Sequence, residues 1–412
     1  KYDCKYMYSA GYWDIGCWGY AGNRSRVGAW IIPGSREFFN DGPTHADLNA
    51  SSGIIEILYN QIHYNGSSID IPANQAWRKI YGPYLLYCNS SPAGGDGCWA
   101  DAQSRARQEE ADWPCAWLTN RLYPPKAQRG TVSGRWVVHD ALKPAVTGSN
   151  AWVGLAQPDP GGNWQFDNKR YQYWVHTDAA GNFSIPNVRT GSYQLSAFTV
   201  GAVGEFSREK VVVTPGGTTE LGDLDWTVPH AGARIAWEIG VPDRTAREFR
   251  HGTDYYQPYL WEKFSGEMPN PLDYTVGADD WSRDWNYVHC GYLKDGAWTP
   301  WRWRIHFNLT NAPPAGNATL TIAYASSYWG RTEVYVNDEH ALLTTVRPGI
   351  DGGNALIREG IHAKYAVEEV PIPMKLLRNG SNTLTLVQGS DRYNRPFFHV
   401  MYDYLDLELP AD

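Results

Sequence analysis

Residues 171–200 read YQYWVHTDAAGNFSIPNVRTGSYQLSAFTV. Three short runs rich in aromatic and β-branched residues (YQYWVHT, FSIPNV and YQLSAFTV) are separated by DAAGN and RTGS, which carry the glycine and small polar residues of tight turns. Phe183 and Ile185 stand two apart, as do Tyr193, Leu195 and Ala197, so each run presents one apolar face. Working outward, GTVSGRWVV (130–138) and AWVGLA (151–156) precede this block and REKVVVTPGG (208–217) follows it. The pattern is that of a small β-sandwich of immunoglobulin-like size. Tyr123-Pro-Pro-Lys126 and Trp226–Ala233 read as linkers, which bounds the sandwich at 126–230.

Upstream, residues 1–125 carry β-type runs at VGAWIIP (27–33), IIEILYNQIHY (54–64) and YGPYLLYC (81–88). The character changes at ADAQSRARQEEADW (100–113), where Ala, Gln, Arg and Glu dominate without glycine, predicting a helix that Pro114 ends. Downstream, residues 231–412 contain WRWRIHFNL (301–309), ATLTIAYAS (318–326), TEVYVN (332–337), NTLTLVQGS (382–390) and FFHVMYDYLDLEL (397–409), with a short helix expected at Met374–Leu377. Strands in that number predict a jelly roll. The chain is therefore expected to be all-β with one short helical segment.

Among 412 residues, 42 % are hydrophobic and 19 % charged, enough apolar material to exclude disorder. A formal net charge of −8 excludes a globally basic nucleic-acid binder, and no apolar run approaches the roughly 20 residues of a membrane-spanning helix. The unusual feature is 20 Trp, 27 Tyr and 11 Phe. Dense β cores absorb such rings; sugar-binding grooves, where a pyranose lies flat on an aromatic face, are the other outlet.

Five of six cysteines fall within the first 115 residues. Cys4 with Cys17 and Cys88 with Cys98 close short loops and are the preferred disulfides, leaving Cys115 and Cys290, although spacing alone does not fix connectivity. No thiol cluster has zinc spacing. Sequons stand at Asn23, Asn49, Asn65, Asn89, Asn182, Asn308, Asn317 and Asn379, and with the cysteines they point to a secreted, extracellular glycoprotein. The chain begins at Lys1 without a signal peptide and reads as a mature or trimmed product.

Many of these segments, in this order, resemble the rhamnogalacturonan lyases of polysaccharide lyase family four. In the first region the resemblance is carried by KYMYS (5–9), GAWIIPGSREFFNDGP (28–43), IHYNG (62–66) and WRKIYGPYLLYCN (77–89). In the middle it is carried by WPCAWL (113–118), GTVSGR (130–135) and TDAAGNFSIPNVRTGSYQLSAF (177–198), and in the last by WEIGVPDRTAREFRHG (237–252), YLWEKF (259–264), YTVGADDWSRDWNY (274–287) and VYVND (334–338). The resemblance implies three domains: a partial β-supersandwich, a fibronectin type III-like β-sandwich and a jelly-roll carbohydrate-binding domain. The implied substrate is the rhamnogalacturonan I backbone, and the implied reaction is β-elimination at the rhamnose–galacturonate bond. Family members carry a large part of the catalytic sandwich upstream of the motif that KYMYS resembles. A separate N-terminal chain or another copy is therefore an expected partner beside the pectic polysaccharide.

β-Elimination needs a base for the C5 proton, a cation against the uronate carboxylate and an acid for the leaving O4. The resemblance puts Lys5 in the base position, with Lys1 as the other alignment, and His63 in the acid position. A lysine serves as base only when burial or a neighbouring cation lowers its pKa from roughly 10.4. Tyr59 and Glu56 precede His63 at strand spacing, with Tyr59 a candidate substrate contact, and Arg78 could meet the uronate. In the last domain Tyr255, Tyr256, Trp261, Trp281, Trp285, Trp301 and Trp303 are the candidate sugar platform, Trp261 and Trp281 foremost. Arg250, His251 and Asp254 are its candidate polar contacts. No cofactor is required for the elimination; a structural calcium is an expectation for such a jelly roll. The reading from another class is a lyase-derived glycoprotein that binds polysaccharide or assembles structurally without turnover.

Overall fold

Strand alternation organises both units into which the chain divides, one of residues 1–138, 147–199 and 205–226, the other of residues 139–146, 200–204 and 227–412. The computed structural model describes residues 9–13, 15–44, 46–48, 50–51, 54–55, 69, 71–253, 266–349, 364–388 and 398–411.

In the first unit, Trp18–Ala21, Val27–Ile32 and Leu85–Ser90 form an antiparallel sheet with Val27–Ile32 in the centre. Helix α1, Gly95–Asp112, follows, longer at its start than the composition predicted and ending one residue before Trp113-Pro114. It buries Cys98, Ala102 and Ala106, an i, i+4, i+8 stripe of small side chains, against Cys17, Trp30 and Ile32. Small residues on that stripe let the helix lie close to the sheet.

The middle sandwich has the expected strands and one more. Tyr173–His176, Trp152–Ala156, Gly191–Phe198 and Phe206–Val213 make one sheet; Asn182–Arg189, Arg129–His139 and Thr218–Thr227 make the other. The strand Thr218–Thr227 occupies what read as the lead-in to a linker. Trp174 lies directly over its cross-strand partner Gly154, where an added Cβ would sit 2.1 Å from the indole. Only glycine admits that ring.

In the second unit, Trp301–Leu309 turns Trp301, Trp303, Ile305, Phe307 and Leu309 inward and alternates them with Arg302, Arg304, His306 and Asn308. Each buried large side chain contributes about 1.5–3 kcal/mol. The sheet runs Leu272–Thr275, Trp301–Leu309, Gly380–Gln388, Thr332–Val336, Leu342–Val346, and its first pair is parallel. The other sheet runs Arg234–Gly240, His399–Leu409, Asn317–Tyr328, Ala366–Pro373, and inward side chains from both sheets make one core. His399–Leu409 is buried along its whole length. Two sheets of this kind form the jelly-roll architecture the strand pattern predicts. A second, four-residue helix, α2 (Trp281–Asp284), and a 3-10 turn at Met374–Leu376 complete the helical content used below.

Two expectations fail on this geometry. Cys88 and Cys98 are not bonded: Leu85, Tyr87 and Asn89 face α1, so period-two alternation turns Cys88 outward while Cys98 is fully buried beneath the helix. Cys17 is likewise a free, buried thiol, and Cys4 lies outside the described residues. Trp285, Trp301 and Trp303 are no sugar platform; all are fully buried, with Trp285 and Trp303 edge-to-face at 4.6 Å.

Candidate active site

Lys5, Tyr59, His63 and Trp261 lie outside the described residues, as do Glu56, Asp254, Tyr255 and Tyr256. Arg78 and Trp281 are described. Arg78 is exposed in the first unit, within the segment Trp77–Pro83. Trp281 opens helix α2 in the second unit, where Asp280 caps the helix by accepting from Ser282 N at 2.9 Å, and its ring packs partly buried on the core. Beside it, Arg250 and His251 share the Glu267 carboxylate at 3.3 and 3.2 Å.

The segment carrying Arg78 is held by three hydrogen bonds to residues about ninety positions away. Trp77 Nε1 donates to Lys169 O at 3.0 Å, Lys79 Nζ donates to Asn168 O at 3.0 Å, and Ile80 N donates to Tyr171 Oη at 3.0 Å. These contacts place the Lys79 ammonium 5.1 Å from the Tyr81 ring centroid and 5.7 Å from that of Tyr171. Burial lowers its pKa to about 7; Asp167, Asp41 and Glu37 pull it upward without overcoming desolvation, and Arg189 adds to the lowering. An amine poised near neutrality is what a lysine base requires.

Behind Lys79 sits a buried ionic cluster. Glu37, 2 % exposed, accepts from Arg129 Nη1 at 2.7 Å, Arg189 Nη2 at 2.8 Å and Tyr173 Oη at 2.9 Å. Burial works to raise the Glu37 carboxyl, but the Arg129 hydrogen bond and the Arg189 charge outweigh it and hold the pKa below the usual carboxylate range. Arg189 also stacks 3.6 Å from the Tyr171 centroid. Tyr171 thus joins the two: Arg189 of the cluster stacks on its ring, while its hydroxyl accepts from Ile80 N and its ring lies 5.7 Å from Lys79 Nζ.

Lys79 stands within WRKIYGP (77–83) but is not legible there as a functional residue. Nothing local marks a lysine as buried when the covering residues come from 167–171.

In the second unit, burial pushes Asp403 well above its ordinary range and Glu248 up to about 7, each with one carboxylate oxygen lacking a hydrogen-bond partner among the described residues. Among the described residues no group of three or more His, Cys, Asp or Glu gathers as metal ligands. At the sequons, Asn23, Asn182, Asn308, Asn317 and Asn379 are exposed, whereas Asn89 spends its amide on Cys98 O at 2.7 Å and Asp101 at 2.8 Å. Asn49 and Asn65 lie outside the described residues. No helix among the described residues is long and apolar enough to cross a membrane.

Comparison with known proteins places two family models on the chain. Domain II of polysaccharide lyase family 4 matches residues 148–221, and domain III of the same family matches residues 235–407. The rhamnogalacturonate lyase of Dickeya dadantii (strain 3937) is 31 % identical over 378 residues, 90 % of this chain and 59 % of that protein. The probable rhamnogalacturonate lyase B of Aspergillus terreus (strain NIH 2624 / FGSC A1156) is 27 % identical, covering 99 % and 68 %. Its counterpart in Aspergillus niger (strain ATCC MYA-4892 / CBS 513.88 / FGSC A1513) is 26 % identical, covering 95 % and 59 %. The chain thus spans between 59 % and 68 % of the length of these relatives.

Proposed function

The chain belongs to polysaccharide lyase family 4, and from that premise we propose that it acts outside the cell on rhamnogalacturonan I, cleaving rhamnose–galacturonate bonds by β-elimination. The observation that carries this reading is the agreement of two family domains, in family order, with relatives named rhamnogalacturonate lyase along most of the chain.

In the proposed reaction Lys5 takes the C5 proton of the galacturonate. The C5–H electron pair becomes the C4=C5 double bond, the C4–O4 bond breaks, and His63 delivers a proton to O4. A cation against the C6 carboxylate keeps the enolate-like transition state from carrying two uncompensated charges; exposed Arg78 is the candidate, with Tyr59 beside the sugar. Lys79 is a second candidate base, favoured by its near-neutral amine one residue from Arg78. In the jelly roll, Trp261 and Trp281 with Arg250 and His251 are the proposed polymer contacts. Calcium belongs to the proposal as a structural ion only. Asp403 and Glu248, close enough for each to sense the other's charge, each have a buried oxygen to offer it, and loss of thermal stability on chelation is its readout.

The test is ultraviolet absorbance from the unsaturated uronate when the purified protein meets rhamnogalacturonan I. Product that disappears in Lys5→Met and His63→Asn supports the assignment; product lost only in Lys79→Met moves the base to that residue. Polymer retained without any unsaturated end refutes cleavage and leaves the binding glycoprotein.

A further inference from the structure

Helix α1 keeps one side of its middle turns uncovered by the sheet. Trp99, Gln103 and Arg107 follow one another at i, i+4 and i+8 along that side, facing residues 15–17 and Arg36 across a groove of about 250 Å³. That volume, at the small end for ligand sites, has room for one sugar ring. Trp99 is 40 % exposed, and its indole is braced from behind by Trp30 at 5.3 Å. A flat aromatic face, fixed yet solvent-accessible, is the surface on which the apolar side of a pyranose rests.

The charges in the groove do not cancel. Arg36 is committed: Nη1 pairs with Glu110 at 2.9 Å, Nη2 donates to Ile15 O at 3.0 Å, and Nε donates to Tyr12 O at 3.3 Å. Arg107 has no ion pair or hydrogen bond among the described residues, so the groove carries one surplus positive charge at its rim. Cys17 lies at the inner end with its thiol uncharged, because burial and Glu110 outweigh Arg107. We infer that this groove binds a uronate residue, with the pyranose on Trp99, the carboxylate on the Arg107 guanidinium and Gln103 beside the ring hydroxyls. The inference rests on the proposed pectic substrate and adds to it a contact made by α1, none of whose residues takes part in the proposed cleavage.

The test is calorimetric titration of the full chain with digalacturonate, and with neutral galactobiose as the uncharged counterpart. Arg107→Ala should weaken digalacturonate by about tenfold, the scale of one lost charge-assisted contact, and leave galactobiose unchanged. Trp99→Ala should weaken both, while Trp99→Phe keeps most of the affinity. Gly16→Val fills the groove from its wall: a Cβ there would meet Ala106 Cβ at 3.4 Å, Glu110 Oε1 at 3.7 Å and Arg36 Nη2 at 4.0 Å, ordinary van der Waals distances, and it should abolish binding of either sugar. Equal affinity in the parent, Arg107→Ala and Gly16→Val, or no heat up to about 10 mM sugar, overturns the inference. The lyase assay runs in parallel. Unsaturated product without groove binding sinks this site alone, and groove binding without product sinks the cleavage reading alone.

Discussion

Lys79 offers the sharpest quantitative test. With its pKa lowered to about 7, about half of Lys79 is neutral at pH 7, against roughly one part in three thousand for a lysine near 10.5. Only the neutral amine attacks an electrophile, so pulse acetylation read by peptide mass spectrometry should give Lys79 a labelling midpoint about three pH units below that of an ordinary lysine. Partial burial slows the reaction equally at every pH, which makes the midpoint the observable and leaves amplitude aside. Asp167→Asn supplies the sign. The Asp167 carboxylate favours the ammonium, so its removal should drop the midpoint further. The linkage to stability has the same direction. A depressed folded-state pKa makes the native state costlier as pH falls from about 10.5 through 7, and Lys79→Met should flatten that slope. A Lys79 midpoint in the ordinary lysine range, or one that rises in Asp167→Asn, refutes the desolvation argument.

Glu37→Gln leaves Arg129 and Arg189 buried without their shared counter-ion, and should cost the first unit about 3–5 kcal/mol; denaturant unfolding followed by tryptophan fluorescence measures it, and a loss under about 1 kcal/mol would show the cluster to be well solvated. Native alkylation should reach exposed Cys88 well before Cys98 or Cys290, both fully buried, and a non-reducing peptide map containing a Cys88–Cys98 bridge would contradict the strand alternation. In the second unit, Glu248 has its folded pKa raised to about 7, so its contribution is present below the unfolded value near 4.5 and is lost as pH rises through 7. Scanning calorimetry should therefore show the second unit losing up to about 3 kcal/mol across that window, with Glu248→Gln removing the slope.

Where neighbours along the chain decide the outcome, the sequence was readable. Phe183, Ile185, Tyr193 and Leu195 alternate as their strands do, and the Ala- and Arg-rich run after Trp99 is α1. Thr218–Thr227 escaped notice because its exposed face is acidic and Gly222 takes φ +66°, so TTELGDLDWT looks like a turn-rich tail. The short edge strands Leu272–Thr275 and Leu342–Val346 offer too few alternations to register. Trp301 and Trp303 could have been assigned to the core from WRWRIHFNL alone, since rings two apart in a strand share one face. Lys79 and Glu37 were invisible for the opposite reason: their environments are assembled from residues 89–152 positions away.

The strand His399–Leu409 lies in the middle of its sheet, between Arg234–Gly240 and Asn317–Tyr328. During synthesis it leaves the ribosome after both of its neighbours. Until then those two strands present open hydrogen-bonding edges and uncovered aromatic faces with nothing to join them. The sheet that contains it therefore closes only once this strand arrives, like a zip whose slider is fitted last.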